Sequence, residues 1–358
     1  MKKVRYAVVG AGWISQEAFM PSVDQTGNSE MTAIVTGNIE KSRKLADFYD
    51  IKHVYTYERY DEMLKAGVAD AVYVALPNSM HAEYAIRAAN AGIHALVEKP
   101  LAVTIAESEA MIAAATKAGV WLMTAYRLHN DAATLEVLDM VRRGDIGDPR
   151  LFQSILGFQA NAGNHRLKAE HWGGPLQDLG VYCINAARHI FGSEPVEAVA
   201  FADADPADAR FKEMEASVSA SLRFPGGRLA NFHVSFGTAL SDSYKIIGSS
   251  GEIDVDNAYR FEVGRQVRVT RDGAVTVKDY ANCDDFSGQT AYFSDCILKG
   301  VRPEADGEEG LADMRVLLAI EQAAKTGKAQ KIASPPRLAH PAIDMARSFP
   351  QVKRRLLV

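Results

Sequence analysis

Short, nearly unbroken apolar runs alternate with longer stretches of helical periodicity through the first part of the chain. Val4–Val9, Met31–Val35, Ala71–Ala75, Ala95–Val97 and Val120–Thr124 predict strands, and Ile39–Tyr49 and Ser79–Ala91 predict helices between them. A strand apolar at almost every position is buried on both faces. Strands of this kind alternating with helices therefore predict a parallel sheet covered on both sides. Such sheets bind ligands beyond the carboxyl ends of their strands, which singles out the residues directly after each run.

The pattern changes after about residue 125. A helix over Asp131–Arg143 ends at Gly144. From Leu151 onward strand-like runs follow, among them Ala216–Phe224, Arg228–Phe236, Tyr244–Ile247 and Val267–Arg271, separated by Gly, Asp and Asn. Pro225-Gly226-Gly227 predicts a hairpin turn, so this half is expected to hold an open antiparallel sheet. Two helical stretches interrupt it, Leu176–Phe191 and Gly310–Thr326. The last segment, with Pro335, Pro336, Pro341 and Pro350, predicts an extended arm.

A chain of 358 residues exceeds the usual size of one core, which agrees with two domains, expected at residues 1–124 and 125–358. Apolar residues at 47% and charged residues at 24% are ordinary for a soluble globular protein. The net charge of −5, with mixed signs, supplies no basic field for a nucleic acid. No apolar run approaches the length of a membrane span, and Ala7-Val8-Val9 is too short for a signal peptide. Three scattered cysteines, Cys183, Cys283 and Cys296, fit reduced thiols, and a cytoplasmic location is expected.

Gly10-Ala11-Gly12-Trp13-Ile14-Ser15 directly follows the first strand and opens a helical pattern. Gly10 and Gly12 permit a tight turn and close backbone approach to a pyrophosphate, whose charge the helix N-terminus stabilises. Trp13 and Ile14 begin that helix. Ser15 stands where the dinucleotide fingerprint has a third glycine, a departure that a small side chain can accommodate. The alternative is a purely structural glycine turn. With this motif the fold class becomes α/β, an N-terminal Rossmann doubly wound parallel sheet plus a C-terminal α+β domain. After the second strand, Thr36-Gly37-Asn38 leads to Lys41 and Arg43, with no carboxylate before Glu40. An NAD site usually has an acid there for the ribose hydroxyls. Hydroxyl, open backbone and two cations favour the 2′-phosphate of NADP instead, unless Lys41 and Arg43 are only a solvated helix face.

Leu76-Pro77-Asn78-Ser79-Met80-His81 and Glu98-Lys99-Pro100 follow the next two inner strands. With them, and with Tyr126-Arg127 and the helix containing Asp178, nearly the whole chain resembles the glucose–fructose oxidoreductase, inositol dehydrogenase and MocA-like oxidoreductases. The resemblance implies that Lys99 lies beside the nicotinamide and contacts the reacting oxygen, that the Lys99–Pro100 bond is often cis, and that Leu76, Pro77, Asn78, His81 and Glu98 border the cofactor. A lysine at a strand's carboxyl end is suited to stabilising a developing alkoxide. A surface Glu98–Lys99 ion pair and a helix-start role for His81 are the bland alternatives.

In Gly173-Gly174-Pro175-Leu176-Gln177-Asp178-Leu179-Gly180-Val181-Tyr182, Asp178 and Tyr182 are four apart and share a helix face. The family often has His at the second position. Tyr182 is similar to the glucose–fructose oxidoreductase branch. Tyrosine ordinarily titrates near pH ~10, so acid–base work near neutrality needs a cation such as Lys99 to favour the phenolate. Tyr182 would then exchange a proton with the substrate oxygen while Asp178 orients a hydroxyl. A buried structural tyrosine is the alternative. Arg127, also a candidate at the cofactor, and Arg166 are either polar contacts for a polyhydroxylated ligand or interdomain ion-pair partners. His165, Glu170 and His171 lack the spacing of a zinc helix, and no metal is expected.

These readings predict an NADP-dependent oxidoreductase, with NAD less favoured. Hydride would pass between the nicotinamide and a hydroxyl or carbonyl carbon of a sugar or polyol, most simply C1 of an aldose. A dihydrodiol-type dehydrogenase and a non-catalytic NADP-binding regulator are the alternatives. The family resemblance implies a homodimer or homotetramer built on the open sheet.

Overall fold

The structure is a computed structural model that describes residues 2–337, 339–353 and 356. It divides into two compact units. The first holds the described residues up to Asp131, Cys283–Gly310 and those from Met345 on. The second holds Ala132–Asn282 and the described residues of Leu311–Asp344. The observed units differ from the simple division into 1–124 and 125–358: residues 125–131 and two later segments belong to the first unit.

In the first unit β1 (Val4–Val9), β2 (Ser29–Thr36), β3 (His53–Thr56), β4 (Ala71–Val74), β5 (His94–Val97) and β6 (Leu122–Thr124) form a six-stranded sheet, ordered β3-β2-β1-β4-β5-β6. Every pair is parallel, as the continuous burial of β1 and β4 requires. The order reverses beside β1, so the carboxyl ends of β1 and β4 flank the crevice where such folds bind ligands. The helix Asp285–Lys299 joins this unit through buried hydroxyls. Ser294 Oγ lies 2.9 Å from Tyr6 Oη and 2.8 Å from Ser29 Oγ, and Ser22 donates to Asp284 at 2.7 Å.

The C-terminal segment is largely irregular, as its prolines predict, but it is anchored rather than loose. Arg347 N donates to Asn130 O, and Asp284 N donates to Phe349 O, each at 2.9 Å. No helix among the described residues is long and apolar enough to cross a membrane.

The second unit is built on a nine-stranded sheet of β7 (Pro149–Gln159), β8 (Glu197–Asp203), β9 (Ser217–Phe224), β10 (Arg228–Ser235), β11 (Gly237–Gly248), β12 (Gly251–Asp256), β13 (Arg265–Arg271), β14 (Ala274–Tyr280) and β15 (Gln330–Lys331). It is mostly antiparallel. The exception is β7 beside β10, which run parallel, so the sheet is mixed. The predicted turn at Pro225–Gly227 joins β9 to β10, with Gly226 and Gly227 at φ 76° and 75°. One face packs its apolar residues, Phe152, Leu222, Phe224 and Phe232, and Phe191 meets Phe224 at 4.8 Å between ring centroids.

Candidate active site

In the first unit the turn after β1 has the geometry of a phosphate cradle. Gly10 has φ 95°, and a Cβ there would lie 2.5 Å from the carbonyl oxygen of Ala75, so only glycine lets β1 and the end of β4 approach this closely. Gly12 differs: a Cβ would meet nothing within 4 Å, which leaves the backbone open to a ligand. Ser15 is buried and donates to Gly10 O at 2.5 Å, closing the turn where the fingerprint has its third glycine. Trp13 is exposed and Ile14 half-buried, and the wide π-type turn Ser15–Phe19 follows them.

After β2, Thr36 Oγ1 accepts from Asn38 N at 3.0 Å, and Asn38 Oδ1 caps the helix Ile39–Phe48 by accepting from Lys41 N at 3.0 Å. The side-chain oxygens of Thr36 and Asn38 therefore shape the turn. Gly37 is exposed, and a Cβ on it would approach the Tyr57 ring at 3.2 Å. Arg43 is exposed, Lys41 is half-buried, and among the described residues neither side chain has an ion-pair partner. The residues present fit a dinucleotide carrying extra negative charge at this corner.

Leu76 is buried, and Pro77 starts the short turn Asn78–Met80. His81, expected to border the cofactor or to serve at a helix start, opens the helix His81–Asn90. It is fully buried, with Nδ1 2.9 Å from Pro100 O and Nε2 2.9 Å from Leu76 O. Burial outweighs these carbonyls and holds its pKa below the usual value, and a neutral ring donates to one of the two carbonyls only.

The Lys99–Pro100 bond is cis. Lys99 is half-buried just past β5. Glu98 accepts from Tyr73 Oη at 2.6 Å. Burial raises the Glu98 carboxyl, opposed by that hydrogen bond and by the charges of Lys99 and Arg127. Tyr73 carries no signal in the sequence beyond an apolar strand. Its ring stacks on Phe19 at 3.8 Å. Arg127, expected at the cofactor, at a polyhydroxylated ligand or in an interdomain ion pair, is 3% exposed and bonds Asp285 of its own unit at 2.6 Å. Its guanidinium thereby holds the helix Asp285–Lys299, an ion pair inside the first unit and not an interdomain one.

In the second unit the candidate catalytic helix opens with a π-type turn over Leu176–Gly180 and continues as an α-helix over Val181–Phe191. Such turns concentrate at functional sites, and this one carries Asp178 and ends just before Tyr182. The helix is anchored from its opposite end. Arg188, 1% exposed, bonds Glu194 at 2.6 and 2.9 Å and Asp313 at 2.6 Å, and Asn185 donates to Asp313 at 3.0 Å. Asp178 is 3.0 Å from the Nε of Arg166.

Tyr182 packs its ring at 5.8 Å from that of Tyr259, whose own hydroxyl lies 2.8 Å from Ser154 Oγ. Asp242 fixes Tyr259 by accepting from Tyr259 N at 2.9 Å and Arg260 N at 3.0 Å. Tyr259 and Ser154 were not legible as site neighbours, because each is remote from Tyr182 in the chain and neither lies in a motif.

The first unit carries an open glycine turn with a lysine at the same sheet edge, and the second a helix with a carboxylate and a phenol, residue types that suit a nicotinamide-dependent oxidoreductase. Residues 4–126 match the oxidoreductase family with an NAD-binding Rossmann fold, and residues 134–254 match the GFO/IDH/MocA C-terminal domain. The chain belongs to the GFO/IDH/MocA oxidoreductase family. A D-xylose 1-dehydrogenase [NADP(+)] of Haloarcula marismortui is 30% identical over 90% of this chain and 91% of its own. Aldose-aldose oxidoreductase from Caulobacter crescentus, solved with glycerol, superposes with TM-score 0.88 at 36% identity, covering 92% of this chain and 100% of that one. A 3-ketoreductase from Actinomadura kijaniata, solved with TDP-benzene and NADP, gives TM-score 0.80 at 25% identity over 90% and 98%.

Proposed function

We propose that this protein is an NADP-dependent sugar oxidoreductase that exchanges hydride with C1 of an aldose or a closely related sugar. The observation that carries the reading is the shared position of Lys99 and the open Gly12 turn at the carboxyl edge of one parallel sheet. The named activities of the relatives, NADP-linked xylose dehydrogenase and aldose-aldose oxidoreductase, support a sugar substrate and NADP. Lys41 and Arg43 would hold the 2′-phosphate, and Gly10–Gly12 the pyrophosphate. When bound, the nicotinamide supplies or accepts the hydride.

The chain's own residues handle the oxygen. Lys99 places a fixed positive charge where negative charge develops on the reacting oxygen. Tyr182 takes the hydroxyl proton in oxidation and returns it in reduction. Asp178 accepts a hydrogen bond from the substrate and so orients it. The exposed sheet face, with Leu151, Ile155, Val199, Phe201 and Leu229, would be covered by a second copy of the chain, giving a homodimer or larger homo-oligomer.

The test is reduction of NADP, with NAD as control, across aldoses, inositols and diols, for wild type, Lys99→Ala and Tyr182→Phe. Turnover on an aldose that both substitutions lower by about a hundredfold or more is expected. Absence of turnover in wild type despite NADP binding would favour a non-catalytic regulator, and indifference to Tyr182→Phe would reassign the proton carrier.

A further inference from the structure

We propose that Tyr259 is a positioning residue for the reaction: its ring walls in the ring of Tyr182, and a buried polar knot at its hydroxyl keeps that wall in place. This rests on the reading of Tyr182 as proton carrier and adds the residue that aims its phenol.

Four aromatic rings of the second unit form a row that ends at Tyr182. Between ring centroids, Phe152 on β7 lies 5.6 Å from Tyr244 on β11, Tyr244 lies 5.9 Å from Tyr259, and Tyr259 lies 5.8 Å from Tyr182. β7 and β11 are paired at the middle of the sheet, with Ser154 opposite Tyr244, so the row starts from a rigid base. Phe152, Tyr244 and Tyr259 are buried, and Tyr182 is half-buried. The row therefore runs from the core to a ring that solvent reaches.

The hydroxyl end of Tyr259 is tied off. Ser154 Oγ donates to Ser243 O at 3.1 Å, which leaves its lone pairs for Tyr259 Oη at 2.8 Å and Cys183 Sγ at 3.4 Å. The serine has committed its own proton, so the phenol and the thiol both donate to it. Cys183 directly follows Tyr182 in the helix. One buried serine thus grips both the helix neighbour of Tyr182 and the ring packed against it. Apolar side chains would fill this space without the cost of burying three polar groups. A satisfied polar network instead specifies one arrangement, which is what aiming a side chain requires.

The backbone under Tyr259 is held as firmly. Asp242 accepts from Tyr259 N and Arg260 N at 2.9 and 3.0 Å. Asn257, at φ 54°, donates from its backbone to Asp242 O at 3.0 Å and from its side chain to Gly264 O at 3.1 Å. Tyr182 itself stands just after the wide turn Leu176–Gly180, where regular α-helical pairing has only begun, so support from the side matters there. A displacement of about 1 Å at a reacting group costs about a hundredfold in rate.

The experiment is a double-mutant cycle on the full chain. Tyr259→Leu and Tyr259→Phe are each made in wild type and in Tyr182→Phe. NADP reduction by an aldose that wild type turns over gives kcat and KM, and a fluorescence titration gives NADP affinity. In wild type, Tyr259→Leu is expected to lower kcat about tenfold or more, with aldose KM and NADP affinity changing by less than about threefold. In the Tyr182→Phe background the same substitution is expected to change kcat by less than about twofold, because the phenol it would misplace is gone. Tyr259→Phe keeps the wall and loosens the knot, so its kcat is expected between those of Tyr259→Leu and wild type.

A loss of equal size in both backgrounds means that Tyr259 supports the fold and not the phenol, and overturns the proposal. A wild-type kcat in Tyr259→Leu overturns it too. If Tyr259→Leu gives no cooperative melt, Tyr259→Phe decides by the same comparison: a loss confined to the wild-type background supports the proposal, and no loss or an equal loss in both overturns it. Inactive wild type, or an unchanged kcat in Tyr182→Phe, overturns the underlying reading itself, a result distinct from equal losses in the two backgrounds.

Discussion

The imidazole of His81 spans the carbonyl oxygens of Leu76 and Pro100, 2.9 Å from each, and so ties the loop after β4 to the loop that carries Lys99. Removing it as His81→Ala leaves a cavity and one buried carbonyl without its donor, and a loss of about 2–4 kcal/mol is expected. The lysine loop also loses its brace, so kcat is expected to fall tenfold or more, since a small displacement of a catalytic group is costly. Chemical denaturation and steady-state rates check the two effects separately. The pH dependence has a definite sign. The folded pKa lies below the ordinary 6.5, so the unfolded chain binds the proton more readily. Stability attributable to His81 is therefore full above pH 6.5 and lost as pH falls through the depressed value. His81→Ala should show less of this acid destabilisation.

Glu98 behaves in the opposite sense. Burial raises its carboxyl above the ordinary 4.5, so the folded state holds the proton to higher pH than the unfolded one. Its contribution to stability is full below pH 4.5 and declines as pH rises through the raised value. Glu98→Gln keeps an oxygen for Tyr73 and removes the titration. The difference in urea midpoint between this variant and wild type is expected to grow in the variant's favour from pH 4.5 to 7. A difference independent of pH would contradict the assignment.

The two glycines of the first turn should fail in different ways. Gly10→Ala places a Cβ 2.5 Å from a backbone oxygen at φ 95° and is expected to destabilise the first unit by about 1–3 kcal/mol. Gly12→Ala meets no atom within 4 Å, so melting should change little. Its methyl occupies the space a pyrophosphate would take, and NADP affinity is expected to fall about tenfold or more. Thermal melts and a fluorescence titration with NADP distinguish the two.

Phe201 is 82% exposed on β8, in a row that crosses the sheet through Ser219 and His233 to Ile155. If this face meets a second copy, Phe201→Glu buries a charge at the interface and is expected to shift sedimentation toward the monomer. Unchanged sedimentation of an oligomeric wild type would place its interface elsewhere.

Much of the first unit was legible because its signals are local. A run such as Val4–Val9 reports its own burial, and Gly10 and Gly12 report the turn that follows. The helix Asp285–Lys299 was not legible as part of that unit, since its attachment depends on Ser294 meeting Tyr6 and Ser29, which are remote in the chain. The parallel pairing of β7 with β10 was hidden for the same reason. Hairpin signals specify neighbours in sequence, whereas that pair is joined only through the intervening helix and strands.

At the candidate site, the family resemblance, together with residue type and position after a strand or on a helix, nominated Lys99, Asp178 and Tyr182. What the tertiary structure decided was partnership. His81 became a clip, Arg127 an anchor for Asp285, Glu98 an acceptor for Tyr73, and Arg166 a neighbour of Asp178. Periodicity and turn chemistry act over a few residues, so the sequence by itself determines which elements form and where their polar ends lie. Which polar groups then satisfy one another depends on long-range packing and on the cost of leaving any buried group unpaired.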